Sequence, residues 1–161
     1  MRYFIDTEFW DRPGRLHLIS LGIVAEDGRE FYAENADFVW GEVPAEHWIQ
    51  ANIKPLLSGG DVLMPYHEIG PAVLNFIGDD KHPEFWAYFA SYDWVAFCWL
   101  FGSMVQSPKH FPMFCLDIQQ WRYMLNPALR LPKHEGTVHN ALDDARWTKQ
   151  AWEYLKRLTN G

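Results

Sequence analysis

The sequence predicts an α/β protein: a mixed sheet, antiparallel over its first three strands and parallel after them, flanked by helices. Three observations carry this reading. Residues 3–33 hold three strand-like runs parted by turn residues. Helical and strand-like runs then alternate, which calls for crossover connections and parallel pairing. The last helical run is long and amphipathic.

Tyr3 to Phe9 reads as the first strand, Leu16 to Ala25 as the second and Glu30 to Ala33 as the third. Glu26-Asp27-Gly28 links the last two, and Asp-Gly supplies the positive φ that a tight hairpin needs. Pro44 to Leu57 reads as helix, with a proline near each end. Ser58-Gly59-Gly60 breaks the chain, and Pro71 to Ile77 suits a short helix. Phe85 to Ala90 fits a buried strand and Asp93 to Phe101 the helix after it. Phe114 to Leu116 is a short strand, Ile118 to Leu125 a helix, and Asn126 to Gly136 a loop marked by Pro127 and Pro132. Ala141 to Leu158 is the clearest helix.

A length of 161 residues suits one domain with one sizeable core, so 1–161 is read as a single domain. An apolar fraction of 48% and nine tryptophans argue for a packed globule. The formal charge of -7 argues against a broad basic sheath for duplex nucleic acid. It leaves room for a local site on one strand end, above all if metal ions bring the positive charge. Cys98 and Cys115 sit in apolar runs and read as free thiols of a reducing, cytoplasmic compartment. No basic-then-apolar signal opens the chain. Phe85 to Val105 is long enough to span a bilayer, but Asp93 at its middle and a strand-to-helix junction at Ser91-Tyr92-Asp93 argue against a membrane segment.

The chemistry starts from Asp6 and Glu8 in the first strand. Side chains two apart on a strand point the same way, so these acids project together from an otherwise apolar run. The last helix adds a third acid. At about 100° per residue from Ala141, Asp144 falls near 300°, inside the apolar arc of Trp152, Ala145, Leu155, Ala151 and Leu158. Asp143 falls near 200°, beside Arg146, Gln150 and Arg157, as an ordinary solvated acid does. Asp93 shares a helical face with Phe97, Leu100 and Phe101. His139 precedes the last helix, in a loop able to swing over a site. Inward-looking carboxylates without thiolates suit hard cations such as Mg²⁺ or Mn²⁺, and a pair of such ions is an apparatus for attack on phosphodiesters.

Each feature alone has a plainer reading. An Asp-x-Glu pair also marks a solvated strand edge, Asp93 could be a helix cap, and a lone His is usually surface decoration. The combination and its order favour a site. His67-Glu68 lacks the second His of a zincin, no C-x-x-C occurs, and no Gly-rich phosphate loop or G-x-S-x-G is present.

Asp6-Thr7-Glu8, Tyr92-Asp93 and His139-Asn140-Ala141-Leu142-Asp143-Asp144-Ala145 together resemble the three motifs of the DEDDh 3′–5′ exonuclease family. The runs M-R-Y-F-I-D-T-E-F, I-S-L-G-I-V-A-E-D-G-R-E-F-Y-A and W-A-Y-F-A-S-Y-D are similar to its polyadenylate-specific RNase AS branch. The likeness is thin over residues 37–84 and 103–133. It implies a ribonuclease H-like fold, two Mg²⁺ or Mn²⁺ ions, a single-stranded RNA 3′ end or 3′ overhang as substrate, a nucleoside 5′-monophosphate as product, and a homodimer. Asp6 would bridge the ions, Glu8 and Asp144 would hold the ion that binds the attacking water, and Asp93 would hold the second through water. His139 would be the general base. Thr7, Phe9 and His139 are candidates for nucleotide contact, Phe9 by stacking on the terminal base. By alternation Phe9 faces away from Asp6 and Glu8, so its contact depends on the strand ending there. Arg130, Lys133 and His134 could meet phosphates. A 3′–5′ exodeoxyribonuclease of the same chemistry and a silent RNA-end-binding module remain the alternatives.

Overall fold

The computed structural model describes residues 1–159. Strands β1 (Arg2–Arg12), β2 (Arg15–Ala25) and β3 (Glu30–Asn35) form the antiparallel meander. Gly28 turns the second hairpin at φ 93°, its N–H donating to the Ala25 carbonyl. Helix α1 (Trp48–Asn52) precedes β4 (Leu63–Met64), which pairs in parallel with β3. Then come α2 (Tyr66–Ile77), β5 (Glu84–Ala87), α3 (Ser91–Trp99), β6 (Leu116–Asp117), α4 (Ile118–Leu125) and α5 (Ala141–Thr159). The sheet runs β4-β3-β2-β1-β5-β6, with β5 parallel to β1 and β6 parallel to β5. It is the mixed sheet the sequence predicts, and it accords with a ribonuclease H-like fold.

Strand β1 sits at the centre and is covered on both faces, which is why Tyr3, Phe4 and Ile5 are all buried. Tyr3 and Ile5 pack with Ile69, Val73 and Ile77 of α2 and Phe97 of α3. Phe4 points the other way and lies 5.8 Å, ring to ring, from Trp152 of α5. Asp6 and Glu8 share the parity of Phe4, so β1 presents both acids on the face that α5 covers. A satellite core of Trp10, Ile19, Val43, Ile49 and Ile53 fastens α1 to the far ends of β1 and β2.

Gly22 fixes how closely α5 approaches. It pairs with Asp6 across the sheet. A Cβ built on it would fall 2.2 Å from the Ala141 carbonyl oxygen and 2.5 Å from the Leu142 nitrogen. Only a residue without a side chain lets the first turn of α5 settle here, directly beside Asp6.

Several expected boundaries shift. The helix expected over Pro44 to Leu57 shrinks to Trp48–Asn52, followed by a 3₁₀ turn at Lys54–Leu56. Pro55 has no N–H to donate to the Ala51 carbonyl, which ends the α-helix, and it is tolerated in the first turn of the 3₁₀ segment. Helix α2 begins a turn before Pro71, which sits inside it and forgoes only the bond to the carbonyl of exposed His67. The strand expected over Phe85 to Ala90 ends at Ala87, because the chain turns through Phe89 at φ 57° and the Ala90 N–H donates to Asp117. The strand expected at Phe114 to Leu116 moves to Leu116–Asp117, where β5 offers a pairing edge. Leu158, expected in the apolar arc of α5, is exposed in the helix's last turn. None of the described helices is long and apolar enough to cross a membrane.

Candidate metal centre

The acids distant in sequence gather beside the middle of β1. Glu8, His139 and Asp144 each offer a ligand atom, and these atoms lie within 4.8 Å of one another. Asp6 lies close enough to Asp93, Asp144 and Glu8 for each to raise its pKa, after burial, which raises it most. Burial, reinforced by Asp144 and Asp93, pushes Glu8 up to about 8. Burial also pushes Asp93 up to about 6, against the lowering effect of two hydrogen bonds from Thr7. Asp144 is raised by burial too, opposed chiefly by His134. Glu8 is 8% exposed and Asp93 6%.

Asp93 is not a cap for its helix. It lies in the first turn of α3, and its Oδ1 accepts the Thr7 backbone N–H at 2.8 Å and the Thr7 hydroxyl at 2.7 Å. Thr7 faces the opposite side of β1 from Asp6 and Glu8, yet it clamps the fourth carboxylate to the strand that carries the first two. Thr7→Val removes one of these bonds. It should lower stability by about 1.5–3 kcal/mol at pH 8, where Asp93 is ionised, as read by urea unfolding. Metal affinity, read by calorimetric titration with Mn²⁺, should fall with it.

The start of α5 positions the remaining groups. Asn140 Oδ1 accepts the Asp143 N–H at 3.2 Å, as a capping asparagine does. Asp143, expected as a plain solvated acid, is partly covered and does structural work: it accepts from the Thr137 N–H and pairs with Arg146 at 2.6 Å. Asp144 Oδ2 accepts the His139 N–H at 2.9 Å, and Oδ1 lies 2.6 Å from His134 Nε2. His139 has φ 68°, a left-handed conformation costing about 1–3 kcal/mol in a residue with a side chain. The edge-on ring of Trp48, 4.8 Å away at 90°, and the bond to Asp144 hold it there.

His134, considered from sequence as a phosphate contact, instead sits against Asp144. Arg130 and Lys133 are exposed. Phe9 lies beyond the point where β1 and β2 slip register, between Glu8 and Phe9, and stacks on Tyr92 at 5.4 Å and 19°. Strand β1 runs on to Arg12, so alternation persists and Phe9 stays off the face of Asp6 and Glu8. Trp48 carried no sequence signal, since it lies in the span where the family likeness is thin. Another unforeseen group is Glu34, a fully buried carboxylate on β3. It accepts the Ser58 and Gly59 N–H groups at 2.6 and 2.9 Å and the Tyr32 hydroxyl at 2.9 Å, fastening the segment after α1 to the sheet.

The donor set fits hard divalent cations. Its atoms are carboxylate oxygens and one imidazole, with no thiolate among them. Burial raises the pKa of all four acids, neighbouring carboxylates of the set add to it at Asp6 and Glu8, and His134 at Asp144 is the one basic side chain within 4.0 Å of any of their carboxylates among the described residues. Cations placed among them would remove that repulsion.

A family profile described as "3'-5' exoribonuclease Rv2179c-like domain" matches residues 1–156. Two Mycobacterium tuberculosis proteins are similar over nearly the whole chain. They are 3'-5' exoribonuclease Rv2179c of strain ATCC 25618 / H37Rv and 3'-5' exoribonuclease MT2234.1 of strain CDC 1551 / Oshkosh. Each is 36% identical over 151 residues, covering 91% of this chain and 88% of its own length.

Proposed function

Because this chain belongs to the Rv2179c-like 3′–5′ exoribonuclease family, we propose that it removes nucleoside 5′-monophosphates one at a time from the 3′ end of single-stranded RNA. The observation that carries the reading is the convergence of Glu8, His139 and Asp144 within 4.8 Å, with Asp6 and Asp93 electrostatically joined to them. Asp6, Glu8, Asp93 and Asp144 would hold two Mg²⁺ or Mn²⁺ ions. When bound, such ions supply a more acidic water and offset charge on the leaving oxygen.

The protein's own groups do the rest. His139 stands at the edge of the acid cluster with Trp48 against its ring, and its imidazole takes the proton of the attacking water. The water oxygen bonds to phosphorus, the bond to the 3′ oxygen breaks, and that oxygen leaves on the shortened strand, which gains a proton. The phosphate departs on the released nucleotide. Asp144 orients the base through the His139 N–H. Thr7 holds Asp93 in place. The preference for adenylate and the homodimer follow the family likeness, and the two free cysteines suit a reducing, cytoplasmic compartment.

The test uses 5′-labelled RNA and DNA single strands, adenylate and mixed-sequence, with Mg²⁺ or with chelator. Stepwise loss from the 3′ end of RNA, abolished by chelator and reduced about 10²–10⁴-fold in kcat by His139→Ala, is the expected result. DNA trimmed at the same rate would move the assignment to an exodeoxyribonuclease. Uncut RNA retained without metal would move it to an end-binding module.

A further inference from the structure

We infer that the groove between the β1–β2 turn and the outer face of α3 holds the RNA nucleotides on the 5′ side of the one being removed. The inference rests on the exonuclease reading and says where the rest of the strand runs. The groove encloses about 640 Å³, and its walls include Arg12 and Arg15 on the turn and Tyr92, Val95 and Trp99 on α3. Residues 92, 95 and 99 share one helical face, and all three side chains are exposed. Tyr92 and Trp99 stand two turns apart on this face and line the same groove as the two arginines.

Charge selects the occupant. The chain carries -7 overall, yet this groove sets two guanidinium groups against a single carboxylate, Asp11. Arg15 is exposed and, among the described residues, has no carboxylate within 4.0 Å of it. Arg12 is partly neutralised by Glu42 at 3.7 Å and braced 4.0 Å over the Trp10 ring. Aromatic faces opposite arginines are what a single strand requires: rings take the bases without regard to sequence, and guanidinium groups take the phosphates.

Continuity with the centre gives direction. Tyr92 precedes Asp93 in the chain and stacks on Phe9, which follows Glu8. The Phe9–Tyr92 pair lies on the groove side of β1, each residue next in the chain to an acid of the cluster, and Tyr92 itself lines the groove. A strand whose 3′ nucleotide lies among the acids would cross that pair and continue past Val95 to Trp99.

Binding and turnover separate the two readings. Fluorescence anisotropy is measured with 5′-fluorescein oligoadenylates of two and eight nucleotides, on a Glu8→Gln background that suppresses cleavage. Turnover is measured in parallel with otherwise wild-type protein. The octamer should bind at least about tenfold more tightly than the dimer. Arg15→Glu and Trp99→Ala should each remove most of that difference, and Arg15→Glu should lower the salt slope of octamer binding by roughly one or more. Circular dichroism melting identifies any variant that fails to fold, and Trp99→Phe should retain the length effect. An undiminished preference for the octamer in both folded variants overturns the groove. So does a change in sedimentation mass with the preference intact, which would make the groove a contact between copies. Absence of turnover on any RNA would overturn the exonuclease reading alone, because the binding arm does not depend on it.

Discussion

Asp6→Asn is expected to reduce RNA hydrolysis below about one-thousandth of wild type while making the metal-free protein more resistant to heat. The two effects share one cause. Asp6 is buried beside three other acids, each of which raises its pKa. Without cations, ionising it there is costly, and the amide removes the cost. The sign follows from proton counts. Glu8 is raised from 4.5 to about 8 and Asp93 from 3.8 to about 6. Across these windows the folded chain holds protons that the unfolded chain has released, so stability falls as pH rises. Thermal melts in chelator should therefore drop steadily from about pH 4.5 to pH 8. Mg²⁺ or Mn²⁺ should restore much of the loss at pH 8, since ions bind the ionised form of the folded chain. Asp6→Asn should flatten both the pH slope and the response to metal. A metal-free melting temperature unchanged by Asp6→Asn would mean that these acids do not strain one another.

Gly22→Ala is expected to damage stability and catalysis together, although Gly22 carries no chemistry. Its added methyl would meet the Ala141 carbonyl and the Leu142 nitrogen, both backbone, so no side chain can swing aside. The first turn of α5 must lift from β2. Overpacking of this kind costs about 1–3 kcal/mol or more, and a chain of this size loses about 2–4 °C of melting temperature per kcal/mol. The same displacement carries Asp144 and His139 away from Asp6 and Glu8, so kcat should fall about a hundredfold or more, in line with misplacement of about an ångström. Restored folding at low temperature without restored turnover would separate the positioning effect from simple unfolding.

The parts of this site legible in sequence are those governed by local periodicity. Alternation along a strand puts Asp6 and Glu8 on one side, and the position of Phe4 against Trp152 agrees. Helical periodicity turns Asp144 inward and Asp143 outward. Asp144 is 17% exposed and faces the other acids, while Asp143 reaches Arg146 at the surface. Contacts between distant segments left no such trace. The cap reading of Asp93 was locally sound, and nothing near it in the chain announced that Thr7 would take its carboxylate. Trp48 on His139 and Glu34 on Ser58 and Gly59 are tertiary choices of the same sort. The helix expected to run on to Leu57 stops at Asn52, because Pro55 cannot donate the bond to the Ala51 carbonyl that would continue it. Gly22 lay in plain view within I-S-L-G-I-V-A, but a glycine in a strand declares only that something comes near, not what.

The sheet's borders have a further meaning. Strands β4 and β6 are two residues each. A neighbouring molecule seeking to extend the ladder on β4 or β6 finds a foothold of two residues, too brief to template fibril growth. The longest strands, β1 and β2, with their dense aromatic and β-branched runs, lie inside the strand order and pair with each other from Tyr3 to Arg12 and from Arg15 to Ala25. The order of strands that brings the acids together thereby also shields the stickiest part of the polypeptide from polymerisation once it has folded.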